Sequence, residues 1–274
     1  MKNIKLIAMD LDGTALQGDR CSFSPRLEAA LEAAYRKGIA IVPVTGRQFK
    51  LLPPAVQTLP VWSSLVVLCN GGQIRKLQTG ECLYALNIPE TALGQLHTLA
   101  QTLNIPLEFS REGQLHLTKD SYEAQLEVEA LRFHVHTILA QSGVIVPSLH
   151  PLCSAGDIEK AQLPYIPPHL RSEVENALRN IDVSAVWSSA TSMEITHTDA
   201  TKGNAIDQLS RLLEIPPEQI MAIGDSGNDL TMLRRAGLGI AMGNAPEFVK
   251  EAADAVTETN RRDGAALAIE TYAL

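Results

Sequence analysis

The chain is predicted to be an α/β protein with a parallel-sheet core that is interrupted by an inserted α+β module. Three observations point there. Short apolar runs that end abruptly in Asp- or Gly-rich turns alternate with amphipathic helical patterns near both ends of the chain. The middle of the chain is different, with hairpin-like pairs separated by helices. At 274 residues and 45% hydrophobic content, the chain has room for two units and enough apolar surface for a core in each.

Taken in order, the apolar run from Ile4 to Met9 stops at Asp10, as a strand buried on both faces does. A helix follows. Ser24 can cap it, Pro25 suits its first turn, and Gly38 suits its end. Leu27, Ala30, Leu31, Ala34 and Tyr35 form its buried stripe. Ile39 to Val44 and Leu65 to Cys69 supply two more strands, so strand, helix and strand form a right-handed crossover of a parallel sheet. The texture changes from about Gln73. One hairpin pairs Gln73–Lys76 with Cys82–Leu86, and a second pairs Leu107–Ser110 with Gln114–Thr118 around Glu112-Gly113. An amphipathic helix between them carries Leu93, Leu96, Ala100 and Leu103. The alternation then returns, with a helix over Lys202–Glu214, a strand at Ile220–Ile223, a short helix at Asp229–Arg235, a strand at Leu238–Ala241 and a further helix opened by Pro246. The predicted division is a core of residues 1–82 and 189–274, with an insertion over 83–188.

The charge balance narrows the function. With 31 acidic and 23 basic residues, the net charge of −8 argues against holding a nucleic-acid backbone through bulk electrostatics. An anionic substrate would need a local positive element or a metal. The four cysteines show no C-x-x-C pairing and read as buried thiols of a reducing compartment. The apolar run Leu6–Met9 is too short for a signal peptide, and no stretch has the length to cross a bilayer. A cytoplasmic monomer or small homo-oligomer with no membrane or nucleic-acid partner is expected.

Four clusters carry chemistry. Asp10-Leu11-Asp12-Gly13-Thr14 lies at the carboxyl end of the first strand, where open parallel sheets place ligands. Residues two apart in extended chain point to one side, so Asp10 and Asp12 can converge. A turn in which the aspartates cap local N–H groups is equally compatible with this cluster alone. Gly224-Asp225-Ser226-Gly227-Asn228-Asp229 also follows an apolar strand and also admits a turn reading. Two like charges about 4 Å apart cost about 4 kcal/mol at an effective dielectric of about 20. If both clusters share one pocket, their carboxylates need a cation among them unless some are protonated, and oxygen-only donors suit Mg²⁺. Pro43-Val44-Thr45-Gly46-Arg47 offers a hydroxyl and backbone N–H groups that can cradle an anion. Finally, Thr201-Lys202-Gly203 puts a lysine in the first turn of a helix. The helix dipole disfavours a cation there unless something negative offsets it.

These four pieces in this order resemble the motifs of the haloacid dehalogenase superfamily. Asn70-Gly71-Gly72, Met193-Glu194-Ile195 ahead of Thr201, Ala241-Met242-Gly243-Asn244-Ala245 with Pro246, and Asn260 with Asp263-Gly264 narrow the resemblance to its Cof-type (subclass IIB) phosphatases. Two departures, Ala15 before Leu16 and Gly72 where alanine is usual, touch none of the expected chemistry. The resemblance implies a Rossmann-like core, with the insertion serving as a substrate-selecting cap. It also implies a Mg²⁺-dependent phosphatase of small metabolites such as sugar phosphates, working through an aspartyl-phosphate. Asp10 would be the nucleophile and Asp12 the general acid and base. Mg²⁺ would be held by Asp10, the backbone carbonyl of Asp12 and Asp225, with Asp229 in support. Thr45, Gly46, Lys202 and Asn228 would bind the phosphoryl oxygens, and Arg47 and Asn70 could each contact the substrate or equally be structural. A phosphomutase or phosphotransferase sharing the aspartyl-phosphate, and a non-catalytic phosphometabolite sensor, are the alternatives. The pair His134 and His136 lacks a nearby third ligand and reads as surface or packing residues of the insertion. Trp62 and Trp187 likewise read as packing residues.

Overall fold

The computed structural model describes residues 3–274; the first two residues, assigned above to the core, lie outside the described residues. Strand β1 (Leu6–Met9) is fully buried and is followed by helix α1 (Pro25–Arg36) and β2 (Ala40–Pro43). The expected caps of α1 are present. Ser24 Oγ accepts from Leu27 N–H at 3.1 Å, an interaction worth about 1 kcal/mol. At the other end Ile39 N–H reaches back to Ala34 O while Gly38 takes a φ of +74°, which closes the helix. The short helix α2 (Pro54–Thr58) precedes β3 (Leu65–Leu68), β4 (Gln73–Lys76) and β5 (Cys82–Ala85).

The predicted crossover is present, since β1 and β2 pair in parallel across α1, but the third predicted strand does not join their sheet as a ladder. Only one parallel bridge, Val44 to Val67, links β3 to the preceding segment, and β3 pairs antiparallel with β4 in a separate three-stranded sheet. Pro43 closes β2 without an N–H to donate, although beyond it Val44 N–H still donates to Met9 O and Thr45 N–H to Val67 O.

The second compact unit takes the chain from Ala85 to Ala200, together with Gln48–Leu51. It holds α3 (Glu90–Leu103), β6 (Glu108–Arg111), β7 (Gln114–Thr118), α4 (Lys119–Leu126), the single turn α5 (Ala140–Ser142), β8 (Gly143–Val146), β9 (Lys160–Leu163), α6 (Arg171–Leu178), β10 (Ser184–Trp187) and β11 (Met193–Thr196). The strands form one sheet in the order β10-β11-β9-β6-β7-β8. Glu112 and Gly113 both have positive φ, as a two-residue hairpin loop requires. The return to the core falls at 201 rather than 189, because β10 and β11 pair with each other and β11 with β9. One face of this sheet buries Phe109, Ala161 and Ile195 against Leu93 and Leu96 of α3 and Val174 of α6. On the other, His134 pairs at 2.9 Å with Glu108, a fully buried carboxylate that also accepts from Gln125, so this histidine packs as expected. Trp62 is core, 5.7 Å from the Phe23 ring, whereas Trp187 is half-buried on β10 under the Arg171 guanidinium. Of the cysteines, Cys69 and Cys153 are buried but Cys21 and Cys82 are exposed, against the expectation of four buried thiols.

Back in the first unit, α7 (Lys202–Leu213), β12 (Ile220–Gly224), α8 (Leu230–Arg235), β13 (Leu238–Ala241), α9 (Glu247–Lys250), β14 (Ala255–Val256) and α10 (Gly264–Tyr272) complete the fold. The five-stranded parallel sheet runs β14-β13-β12-β1-β2. From β1 the chain moves to β2 on one side, and from β12 it moves to β13 and β14 on the other. The order therefore reverses between β1 and β12, and such a switch point opens a crevice at the carboxyl ends of the two strands. Among the described residues, no helix is long and apolar enough to cross a membrane.

Candidate active site

The register of the sheet determines what lines that crevice. Met9 lies opposite Ile223 and Asp10 N–H donates to Ile223 O at 3.0 Å, so β1 and β12 end side by side. Asp10 leaves the end of β1 and Asp225 the end of β12, more than two hundred residues later in the chain. Asp10, Asp225 and Asp229 each offer a carboxylate oxygen, and the three oxygens lie within 4.8 Å of one another.

Lys202 enters this acidic group from the first turn of α7. Its Nζ donates to Asp10 Oδ1 at 2.5 Å and to Asp229 Oδ1 at 2.6 Å, and its side chain is wholly buried. The two carboxylates supply the negative charge that a first-turn lysine needs. Burial works against the ammonium, but Asp10 and Asp229 outweigh it and hold its pKa above the ordinary lysine value. Burial also pushes the Asp10 carboxyl well above the usual carboxylate range; Lys202 pulls it down, and Asp229 and Asp225 push it up. Asp225 is pushed up to about 6 by burial and then by Asp229, with Thr14 and Lys202 opposing.

Backbone and side-chain donors set the orientation of each acid. Asp229 Oδ2 accepts from the N–H groups of Asp225 and Ser226, both at 2.9 Å, in a capping box that begins α8's approach turn. Asp225 Oδ1 accepts from Thr14 Oγ1 at 2.9 Å. Asn244 Nδ2 reaches Gly13 O at 2.9 Å and Asp225 Oδ2 at 3.3 Å, and Asn244 Oδ1 in turn accepts from Asn260 N–H. Thr14 and Asn244 thus position a predicted ligand without having been assigned a role from sequence. Their motifs were visible, but a neutral side chain that holds another side chain leaves no pattern of its own.

Gly13 shows why the first cluster needs glycine. Its φ is +84°, and a Cβ there would stand 2.4 Å from Asp225 Oδ2. Gly13→Ala is therefore expected to cost about 1–3 kcal/mol of stability through backbone strain, and to weaken divalent-cation binding by displacing Asp225. Urea unfolding and a calorimetric magnesium titration of the variant check both effects.

The remaining predicted residues occupy the rim. Asp12 does not join the acidic group; its carboxylate is forked by Arg47, with Nε to Oδ2 at 2.8 Å and Nη2 to Oδ1 at 2.7 Å. Arg47, a candidate for substrate contact, gives two of its side-chain donor groups to Asp12. Thr45 is buried, and its Oγ1 accepts from Arg47 N–H at 3.2 Å, with Gly46 between them. Asn228 donates to Asn70 Oδ1 at 2.9 Å and accepts from Ser226 Oγ, so it and Asn70 brace one another.

The model of the haloacid dehalogenase-like hydrolase family matches residues 7–269, nearly the whole chain. The chain belongs to this family. A putative phosphatase YxeH of Bacillus subtilis is 31% identical over 278 residues, covering 98% of each chain. The 5-amino-6-(5-phospho-D-ribitylamino)uracil phosphatase YcsE of the same organism is also 31% identical, over 99% of this chain and 97% of that one. Among solved structures, a haloacid dehalogenase-like hydrolase from Bacteroides thetaiotaomicron superposes with a TM-score of 0.83 at 25% identity, covering 97% of this chain and 98% of that one. As a member of the family with phosphatases among its full-length relatives, the chain is a hydrolase of phosphoric monoesters acting on a small phosphorylated substrate.

Proposed function

We propose that this family member is a Mg²⁺-dependent phosphatase of small metabolites, sugar phosphates or compounds like them, that works through an aspartyl-phosphate on Asp10. The observation that carries the reading is the grouping of Asp10, Asp225 and Asp229 at one strand-end crevice around a single lysine.

The donor set fits a magnesium ion. All three groups present oxygen, which hard divalent cations prefer; burial first, and then the neighbouring carboxylates, raise the pKa values of Asp10 and Asp225, and a bound cation would oppose both. Asp10, Asp225 and Asp229 would hold it, with the carbonyl of Asp12 as the further donor that the resemblance implies. When bound, the ion supplies positive charge that offsets the charge of the phosphoryl group.

The protein's own residues account for the rest. Lys202 fixes one oxygen of Asp10 and lends its charge to the incoming phosphoryl group. An oxygen of Asp10 attacks phosphorus, and the bond from phosphorus to the ester oxygen breaks as Asp12 gives that oxygen a proton. Asp12, now a carboxylate, takes a proton from water, whose oxygen attacks phosphorus. The bond to Asp10 then breaks and inorganic phosphate leaves. Thr45, Gly46 and Asn228 would donate to the phosphoryl oxygens.

The test is phosphate release from 4-nitrophenyl phosphate by the purified protein. Activity is expected without any sugar acceptor or bisphosphate activator, to vanish in EDTA and to return with added Mg²⁺. Dependence on an acceptor would make the enzyme a phosphotransferase, and full activity in EDTA would remove the metal from the reading.

A further inference from the structure

We propose that Arg47 is the positioning residue of Asp12, holding the proton donor beside the reacting group rather than binding the phosphoryl group itself. This rests on the reading of Asp12 as general acid given above.

The geometry is that of a built clamp. The guanidinium meets both carboxylate oxygens of Asp12 in parallel, at 2.8 and 2.7 Å, an arrangement that defines the plane and direction of the carboxylate as a single bond cannot. A third acceptor holds the guanidinium, with Nη2 donating to Arg20 O at 3.1 Å. Arg20 presents that carbonyl from a left-handed position, φ +57°, in a turn organised by Asp19, which accepts from Cys21 N–H and Ser22 N–H. The backbone of Arg47 is tied too, its N–H donating to Thr45 Oγ1. Arg47 is thus held at both ends, and the Arg47 and Asp12 side chains remain 22% and 40% exposed.

Each acid at the site has a holder, and the bonds to Asp12 come from Arg47. Asp225 is held by Thr14 and Asn244, and Asp229 by two amides and Lys202. The charges are also separated. Arg47 neutralises Asp12 in a pair of its own, while the three-carboxylate group is left with Lys202. The observed fork holds the carboxylate form of Asp12, the form that takes a proton from water; with one oxygen released and carrying that proton, it can face the leaving oxygen while the other oxygen stays anchored. An ammonium has no such fork.

The experiment compares phenyl phosphate with 4-nitrophenyl phosphate, two esters of similar shape that differ in how much the departing oxygen needs a proton. With Arg47→Ala and Arg47→Lys, kcat on phenyl phosphate is expected to fall about tenfold or more beyond any fall on 4-nitrophenyl phosphate, with KM for both nearly unchanged. Asp12→Asn should show the same selectivity, and adding Arg47→Ala to it should not widen the ratio. Equal losses on both esters, or a shared rise in KM, would overturn the proposal by making Arg47 a phosphoryl-binding or merely structural residue. Selectivity in Asp12→Asn but not in the Arg47 variants overturns this proposal alone. Its absence from Asp12→Asn as well overturns both this proposal and the reading of Asp12 on which it rests.

Discussion

Replacing Asp10 with Asn is expected to lower turnover about 10⁴-fold or more while the chain stays folded. The amide has the shape of the carboxylate and can still accept from Lys202 through its oxygen, but it is too poor a nucleophile to take a phosphoryl group. The fold has little reason to suffer. Burial, Asp229 and Asp225 already disfavour a charge at Asp10, so losing it removes repulsion as well as attraction to Lys202. Steady-state phosphate release and urea unfolding measured on the same preparation separate the two effects. A variant that keeps even a few per cent of wild-type turnover would show that some other group accepts the phosphoryl group.

Lys202→Met is expected to damage both stability and activity, and magnesium should reveal which part of the loss is electrostatic. The methionine side chain fills similar space without charge. It leaves Asp10 and Asp229 facing each other in a site where Lys202 was fully enclosed between them at 2.5 and 2.6 Å. Stranding buried charge in this way costs about 3–5 kcal/mol. In EDTA the loss should be seen in full as a lower urea midpoint. With millimolar Mg²⁺ the gap to wild type should narrow, because a cation that binds only the folded state restores stability and finds a more negative site in the variant. Turnover should remain about 10²-fold or more below wild type, since the charge that Lys202 offers the phosphoryl group is gone. An identical deficit with and without Mg²⁺ would mean that lysine and metal do not share the same carboxylates.

Parts of this site could be read from the chain because their signals are local. The apolar run that ends at Asp10, the helix that Ser24 opens and Gly38 closes, and the lysine in the first turn of a helix each follow from neighbouring residues. The hairpin at Glu112-Gly113 was equally legible from its glycine, the residue that a left-handed loop position favours, between two apolar-alternating runs. The misjudged places depend on pairing. β3 had the composition of a parallel core strand, yet its partner is β4, and nothing within Leu65–Leu68 says so. Residues 189–200 read as the return to the core because a strand pattern does not name its sheet; β11 pairs with β9.

The sequence by itself determined the α/β class, the two Asp-bearing strand ends, and the charge conflict that arises wherever those acids meet. That is so because strand burial, turn chemistry and helix dipoles act over a few residues. Only the tertiary structure decided that Lys202 bridges Asp10 and Asp229, that Gly13 makes room for Asp225, and that Arg47 takes Asp12 out of the acidic group. Those choices turn on ångström separations between side chains as far apart in the chain as Thr14 and Asp225, 211 positions, which come together only when β1 and β12 lie side by side.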